Sequence, residues 1–533
     1  MRSYYIIVFI AGAVVLSLEL VASRVMTPYF GVSLYIWASI LSVTLLALSL
    51  GYFFGGILSN LEKTPAKRIL FQKRFFIIMP SLTSLFLPLV CLIYPSLFYS
   101  LAGFNLVVGS ILASLLILFL PLFLLSAMSP LLIAMASTEA GSGGHVSGRV
   151  FFVSTIGSVV GVFLTAFLLV PNATNLYSML ILSGVLSLLA LWLVFLKIDK
   201  EVRSLPMAIL SGGGVVFALL VLMVSIYMRG GEGNLVKYNG LEWKIEKEYT
   251  SVFGNLKVIT TSGGHKALFN DGIYQALLDK SKRSSEAFTY ALETLTLKNL
   301  PEKGKVLVLG LGAGIVPMRF LRDEIEVDVV ELNPSMVSVA TDYFGFDSKN
   351  IEVFTEDART FVRGCDNSYD ALIVDLFRGD GTPDHLLSRE FFRDASKCLS
   401  SEGFVVMNTF AHSSHWAPFY SIVKTLKSVF PSVTMYHDKL GRVAGLKNVY
   451  LLAFKGAGVE PTAIDATLFD APKSVKARLS STFDGTRPLD SGLIKSANLL
   501  TDEDNNFSYH NTATQQAFRK SAFQSVPPSF LLN

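Results

Sequence analysis

The sequence predicts two fused parts: a multi-span α-helical membrane domain, then a small β-domain leading into an α/β domain with a mostly parallel sheet. Three observations carry this reading. The first 229 residues hold repeated apolar stretches, each as long as the roughly 20 residues that cross a bilayer as a helix. After Arg229 the pattern changes, and "LEWKIEKEY" (241–249) alternates like a half-buried strand. From residue 305 to residue 429, strand-type and helix-type segments take turns, the pattern of a parallel sheet covered by helices on both faces.

Seven stretches qualify as spans: about 4–23, 34–58, 75–99, 106–136, 147–170, 176–196 and 207–228. The first reads as a retained span, because it lacks a small-residue cleavage site and more spans follow. The fourth is overlong and carries Pro121 and Pro130, so tilt, a kink and a broken pair all stay open. The chain is 51% hydrophobic and its charge is unevenly spread. Residues 1–230 hold 12 basic and 5 acidic residues, leaving 33 and 36 for the remainder. Neither half has the basic stripe of a nucleic-acid binder, so no nucleic-acid partner is expected.

Loop basicity sets orientation. Lys63, Lys67, Arg68, Lys73, Arg74, Lys197, Lys200 and Arg203 share one side with Arg2 and Arg149, whereas the opposite short loops offer only Arg24. The amino terminus then faces the cytoplasm. Seven spans put residues 230–533 on the other side of a cell (inner) membrane, while a re-entrant fourth segment would return them. The charge count favours the non-cytoplasmic side. Glu19 lies deep in the first span, where a carboxylate faces protein or water; Arg24, five residues on, is its expected partner. Gly51, Gly55, Gly56, Gly157 and Gly161 suit close helix packing. Cys91, Cys365 and Cys398 show neither metal spacing nor a disulfide framework and read as buried or inert thiols.

The expected domains are 1–229 (membrane), 230–283 (small β-domain), 284–456 (α/β) and 457–533 (carboxyl-terminal extension). In the α/β part, strands are expected at 305–310, 326–331, 351–355, 369–375 and 403–409. Helices are expected at 314–323, 335–344, 358–363, 388–399 and 416–429. Ligands of such sheets sit at the carboxyl ends of the strands. Gly310, Gly312 and Gly314 make a tight turn after the first strand in "VLVLGLGAG". Glu331 ends the second strand, where a carboxylate accepts both ribose hydroxyls. Asp357 follows the third strand, within reach of an adenine amino group, and Asp375 ends the fourth. Ile315 and Pro317 replace the wider glycine spacing of dinucleotide sites. An S-adenosylmethionine-type ligand therefore fits better than NAD, and the α/β part is expected to be Rossmann-like, of the S-adenosylmethionine-methyltransferase type.

Residues 238–456 resemble spermidine synthase and its polyamine aminopropyltransferase relatives. "LFNDGIYQ" (268–275) matches that family's phrase before its core, with Asp271, Gly272 and Gln275 in place. "SLELVASRVMTPYFG" (17–31) and "LLTDEDN" (499–505) are similar to its membrane-fused, multi-pass branch. The resemblance implies a ribose contact at Glu331, an adenine contact at Asp357 and Ala358, and a catalytic aspartate at Asp375. Gln275 joins the donor site and Pro383 the gate loop. It further implies transfer of a 3-aminopropyl group from decarboxylated S-adenosylmethionine to an amine, with no metal, and it leaves a homodimer open. Asp380 or Asp384 would add negative charge for the amine, with Tyr274, Tyr290 and Phe377 lining its pocket. His412 and His415 lack a third ligand of metal spacing. His385 falls in the same loop.

Two departures from the family pattern stand out. Its turn aspartate is Ala313 here, and its Asp-Glu and Tyr-His-Glu (or Tyr-Gln-Glu) groups are replaced by "SEAFTYALE" (285–293). Two other functions therefore stay open: methyl transfer from intact S-adenosylmethionine to a membrane-borne or exported substrate, and a non-catalytic polyamine or nucleoside sensor or transporter. For residues 457–533 two placements are open, wrapping the α/β domain or covering its mouth.

Overall fold

The computed structural model describes residues 2–31, 34–140, 143–195, 204–230, 235–366, 368–377, 379, 381–440, 445–456, 464–465 and 469–531. Asp380, Lys197, Lys200 and Arg203 lie outside the described residues. The chain divides into two compact units. One is Met1–Asn234 with Thr250–Val252 and Pro528–Asn533; the other is Leu235–Tyr249 with Phe253–Pro527.

The first unit holds seven helices long and apolar enough to cross a membrane: Ser3–Phe30, Leu34–Ser59, Lys67–Leu101, Leu106–Ser137, Gly143–Asn172, Asn175–Phe195 and Leu205–Ile226. The fourth is one span whose irregularities track its prolines. A π-turn at Leu115–Phe119 precedes Pro121, and the helix is interrupted at Ala127 before Pro130. The fifth repeats the device, with a π-turn at Thr165–Leu169 before Pro171. Proline removes an N–H and crowds the preceding turn, and a wider turn relieves the clash. The third span carries Pro80, Pro88 and Pro95 inside a continuous helix. Pro88 cannot donate to the carbonyl of Ser84, four residues back; Ser183 of the sixth span donates its hydroxyl there instead, at 2.6 Å.

First and fifth spans meet backbone to backbone. A Cβ at Gly157 or Gly161 would run into the carbonyls of Phe9 and Ala13, the reason small residues line such contacts. Gly51 and Gly55 play the same part against Phe123 and Ala127, whereas Gly56 has open space beside it. The expected Glu19–Arg24 pair does not form. Arg24 instead donates to the carbonyls of Val170 at 2.9 Å and Ser251 at 3.3 Å, because it sits where the fifth span leaves its last carbonyls without partners.

The second unit opens with an antiparallel sheet in the order β1 (Leu235–Tyr238), β2 (Leu241–Ser251), β3 (Gly254–Thr261), β4 (Lys266–Asn270), β5 (Ile273–Leu278). Strand β1 was not expected from sequence. The signal for it was Asn239-Gly240, and Asp271-Gly272 likewise joins β4 to β5. All four of these residues have positive φ, as a two-residue type I′ hairpin turn requires.

The second sheet runs β11-β12-β10-β9-β6-β7-β8. Its strands are β6 (Lys305–Leu309), β7 (Glu326–Val330), β8 (Glu352–Phe354), β9 (Tyr369–Val374), β10 (Leu399–His412), β11 (Ser432–His437) and β12 (Leu446–Phe454). The five from β8 to β10 are parallel, and β12 and β11 add an antiparallel edge. Alternate residues serve two cores: Leu307, Leu309, Leu372 and Val374 on one face, Val306, Val308, Ala371 and Ile373 on the other. Strand order reverses between β6 and β9, which opens a crevice at their carboxyl ends.

The cysteine reading needs correction. Cys365 and Cys398 form a disulfide, their Cα atoms 4.9 Å apart, and only Cys91 is a free, buried thiol. They are separated by 33 residues in sequence. The fold pairs them by packing helix Ala358–Gly364 beside helix Arg389–Cys398.

Candidate active site

Register builds the site. Leu309 of β6 is paired with Val330 of β7 and Val374 of β9, and Val374 with Met407 of β10. The next residue of each strand therefore falls in one row along the sheet's carboxyl edge: Asn408, Asp375, Gly310, Glu331. Backbone bonds fasten it, from Asp375 N–H to the Leu309 carbonyl at 3.0 Å and from Gly310 N–H to the Val330 carbonyl at 2.9 Å.

Gly310, Gly312 and Gly314 all take positive φ (96°, 53° and 74°). At Gly310 a Cβ would strike the Asp375 carbonyl, while beside Gly312 nothing lies within 4 Å. The turn is thus tight against the sheet and open on its outer side. Glu331 braces it, accepting Leu311 N–H at 3.0 Å and Asn333 N–H at 2.8 Å on its two oxygens. Each oxygen keeps a lone pair for a ligand hydroxyl. Burial raises this carboxyl above its ordinary range, and the two N–H groups oppose the rise.

Asp357 caps the helix Ala358–Gly364, accepting Arg359 and Thr360 N–H at 3.0 Å on one oxygen. Its other oxygen lies 3.9 Å from His385 Nε2. Ala358 opens the helix. Asp375 accepts Asn408 Nδ2 at 2.9 Å, and burial pushes its carboxyl up to about 6 against that bond. The amide oxygen of Asn408 is buried without a partner. Asn408 was missed in the sequence; its signal is a lone amide in the apolar strand "FVVMNTF".

Gln275 is the bulged residue of β5, skipped between the pairs Phe269–Tyr274 and Leu268–Ala276. A bulge re-aims a side chain out of the alternating pattern. Tyr274 donates to Glu286. Tyr290, expected to line the amine pocket, is fully buried in the core instead. Its hydroxyl donates to the carbonyls of Ser284 (3.1 Å) and Asp470 (3.2 Å), and the Arg319 guanidinium lies 4.0 Å from its ring centroid. The helical period of 287–297 turns Tyr290 inward, and Glu293 pairs with Arg319. Ala313 is packed with Leu256, Val258 and Met336.

Pro383 precedes a single 3₁₀ turn, Asp384–Leu386. The carboxylate of Asp384 is engaged by Ser508 Oγ at 2.5 Å, and its carbonyl by Asn505 Nδ2 at 2.6 Å. Burial raises the Asp384 carboxyl, and the Ser508 bonds partly offset this. Residues 499–518 thus lie across the loop that follows β9. His412 and His415 both contact Ser414 in a turn after β10. A separate groove of about 840 Å³, lined by Glu326 and Glu352, opens at the amino ends of β7 and β8, the far end of those strands from this row.

Residues 286–443 match the spermine/spermidine synthase domain. The carboxyl-terminal part of this chain thus carries a spermine/spermidine synthase domain. It is 38% identical over 133 residues to a polyamine aminopropyltransferase of Vibrio vulnificus, covering 24% of this chain and 44% of that protein. The chain thus spans less than half the length of that relative. It is 26% identical over 253 residues to polyamine aminopropyltransferase 1 of Aquifex aeolicus, covering 45% of this chain and 88% of the relative. A probable spermidine synthase from Corynebacterium glutamicum superimposes with a TM-score of 0.41 and 18% identity, covering 48% of this chain and 96% of its own. The row from Asn408 to Glu331 lies inside the synthase domain, whereas Gln275 and the tail that holds Asp384 lie outside it.

Proposed function

We propose that this protein is a membrane-embedded aminopropyltransferase, moving a 3-aminopropyl group from decarboxylated S-adenosylmethionine to an amine. The single observation that carries this reading is the row in which Asp375 and Glu331 flank the open glycine turn. Glu331 holds the ribose, Asp357 and Ala358 the adenine edge, and Gln275 the donor from the β5 side. In the reaction, the amine nitrogen attacks the carbon bonded to the sulfonium. The N–C bond forms as the C–S bond breaks, and the sulfur leaves as neutral 5′-methylthioadenosine. Asp375 takes the surplus proton. An alkylamine of pKa about 10.4 reaches the site protonated, so a carboxylate that attracts the cation and then accepts its proton is what the chemistry lacks otherwise. Asp380 or Asp384 supplies further negative charge for the amine, and Pro383 belongs to the same stretch of sequence. The sulfonium is already a good leaving group, so the step needs no metal.

The test is release of methylthioadenosine from the decarboxylated donor with a broad panel of amines. Silence across the panel sinks the reading. Ala313 favours a second one, methyl transfer from the intact donor, because an apolar contact stands where the family's turn carries an acid. Calorimetry separates them: tight binding of the carboxylated donor alone supports methyl transfer.

Seven spans and the basic loops support a non-cytoplasmic catalytic part. The Cys365–Cys398 disulfide supports the same side, since such bonds persist in oxidising compartments. Protease digestion of residues 235–533 in right-side-out vesicles, and protection in inverted ones, is the expected result.

A further inference from the structure

We propose that the helix Thr512–Ser525 forms the outer wall of the amine site, and that Gln515 on this helix and Asn408 on β10 hold the attacking amine by its N–H groups beside Asp375. This deepens the aminopropyl-transfer reading and rests on it.

The helix packs against β10, β12 and β5, so it reaches from the strand that carries Asn408 to the strand that carries Gln275. One aromatic chain fixes its approach. Phe518 lies 4.8 Å from Phe410, and Phe410 lies 5.2 Å from Phe377, two residues after Asp375. Phe410 and Asn408 are two apart on one strand and share a face. Gln515 is three residues before Phe518 and shares the helix face that meets them. Its amide nitrogen comes up against Gly381 in the loop after β9.

Gln515 is only 8% exposed, yet its Oε1 has no partner; the Oδ1 of Asn408, 2% exposed, has none either. A buried orphan carbonyl costs stability unless something fills it. One such acceptor on the residue bonded to Asp375, and another on the helix that packs against its strand, suit a group rich in N–H donors. They take over from the Tyr290 region, which is committed to the core.

Calorimetry on the full-length protein, saturated with 5′-methylthioadenosine, tests this with n-butylamine and 1,4-diaminobutane as probes. Gln515→Leu should weaken amine binding about tenfold or more, the scale of a lost hydrogen bond to a charged group, with methylthioadenosine affinity within about twofold. Gln515→Glu should tighten 1,4-diaminobutane at pH 8 and make its binding salt-dependent, which a merely structural glutamine would not do. Lys520→Ala, on the exposed face, should change nothing. Amine affinity unmoved in both Gln515 variants overturns the inference, as does a wild-type protein that binds neither amine. Amine binding that Gln515 controls, without any methylthioadenosine release from the decarboxylated donor, upholds this inference and removes the transfer reading instead.

Discussion

The two sides of the cleft are built by different means. The proposed donor side is the sheet's own edge: register sets Gly310 beside Glu331, and Asp357 caps the helix that follows β8. The proposed amine side is assembled from pieces that arrive separately: the bulge in β5, the loop after β9, and a tail whose Ser508 lies 124 residues beyond Asp384. A site made by register is fixed as firmly as the sheet. One made by imported segments can be re-specified by changing a few tail contacts.

The largest expected effect falls where the two sides meet. Asp375→Asn should lower turnover by about 10² to 10⁴-fold, the range for removing a positioned general base, while methylthioadenosine still binds. Because burial raises this carboxyl to about 6, kcat/KM should fall as pH drops below that value. Stability runs the other way. A folded pKa above the unfolded one favours the native state below about 3.9, and the advantage is lost as pH rises through 6. The asparagine variant should therefore be more stable than wild type at pH 8 by on the order of 2 kcal/mol, and lose that gain at pH 4. Chemical denaturation at both pH values checks the sign.

Next is a donor-side change. Glu331→Gln should weaken methylthioadenosine binding about 10 to 100-fold, through loss of charge-assisted hydrogen bonds. Amine affinity at saturating methylthioadenosine should stay within about twofold. Equal losses on both sides would break the distinction between them.

The placement of Gly310 and Glu331 at strand ends was legible in the sequence because each sits next to a strand of readable pattern: "VLVLG" gives Gly310 and "VDVVE" gives Glu331. Asn408 escaped although its strand was expected, since a polar residue in an apolar run carries no functional mark until register sets it beside Asp375. Tyr290 lies in the core rather than in a pocket because an aromatic residue by itself says nothing of which helix face is buried. The Cys365–Cys398 pair and the tail's hold on Asp384 depend on contacts across 33 and 124 residues. No local pattern encodes such contacts. The seven helices long and apolar enough to cross a membrane were readable because length and apolar composition are local properties of the sequence.

Arg359 ties the two sides together, so its loss should be felt on both. Its guanidinium donates to the His385 carbonyl at 2.6 Å and pairs with Asp502 of the tail, and it is 8% exposed. It is also the second residue of the helix that Asp357 caps. Arg359→Met should weaken methylthioadenosine and amine binding together, each by about tenfold, as expected for a largely buried ion pair worth about 1–2 kcal/mol once its exposed partner is discounted. Asp502→Asn should move amine binding more than nucleoside binding. Calorimetry on both variants gives the comparison directly.

The smallest effect is the most discriminating, because it isolates the tail's grip on a single carboxylate. Ser508→Ala removes a hydroxyl bonded to Asp384, a loss of about 1 kcal/mol and so about fivefold in whatever that bond supports. That hydroxyl also opposes the rise that burial imposes on the Asp384 carboxyl, so without it the carboxyl rises further. Asp384 should then lose its charge at a higher pH than in wild type. If its carboxylate attracts the amine, the acidic limb of the amine-KM profile shifts to higher pH while methylthioadenosine affinity stays put. If Asp384 only anchors the tail, the melting temperature drops and the profile does not move. The tail would then be a brace for the loop after β9, and Gln515 and Asn408 would hold the amine without help from Asp384.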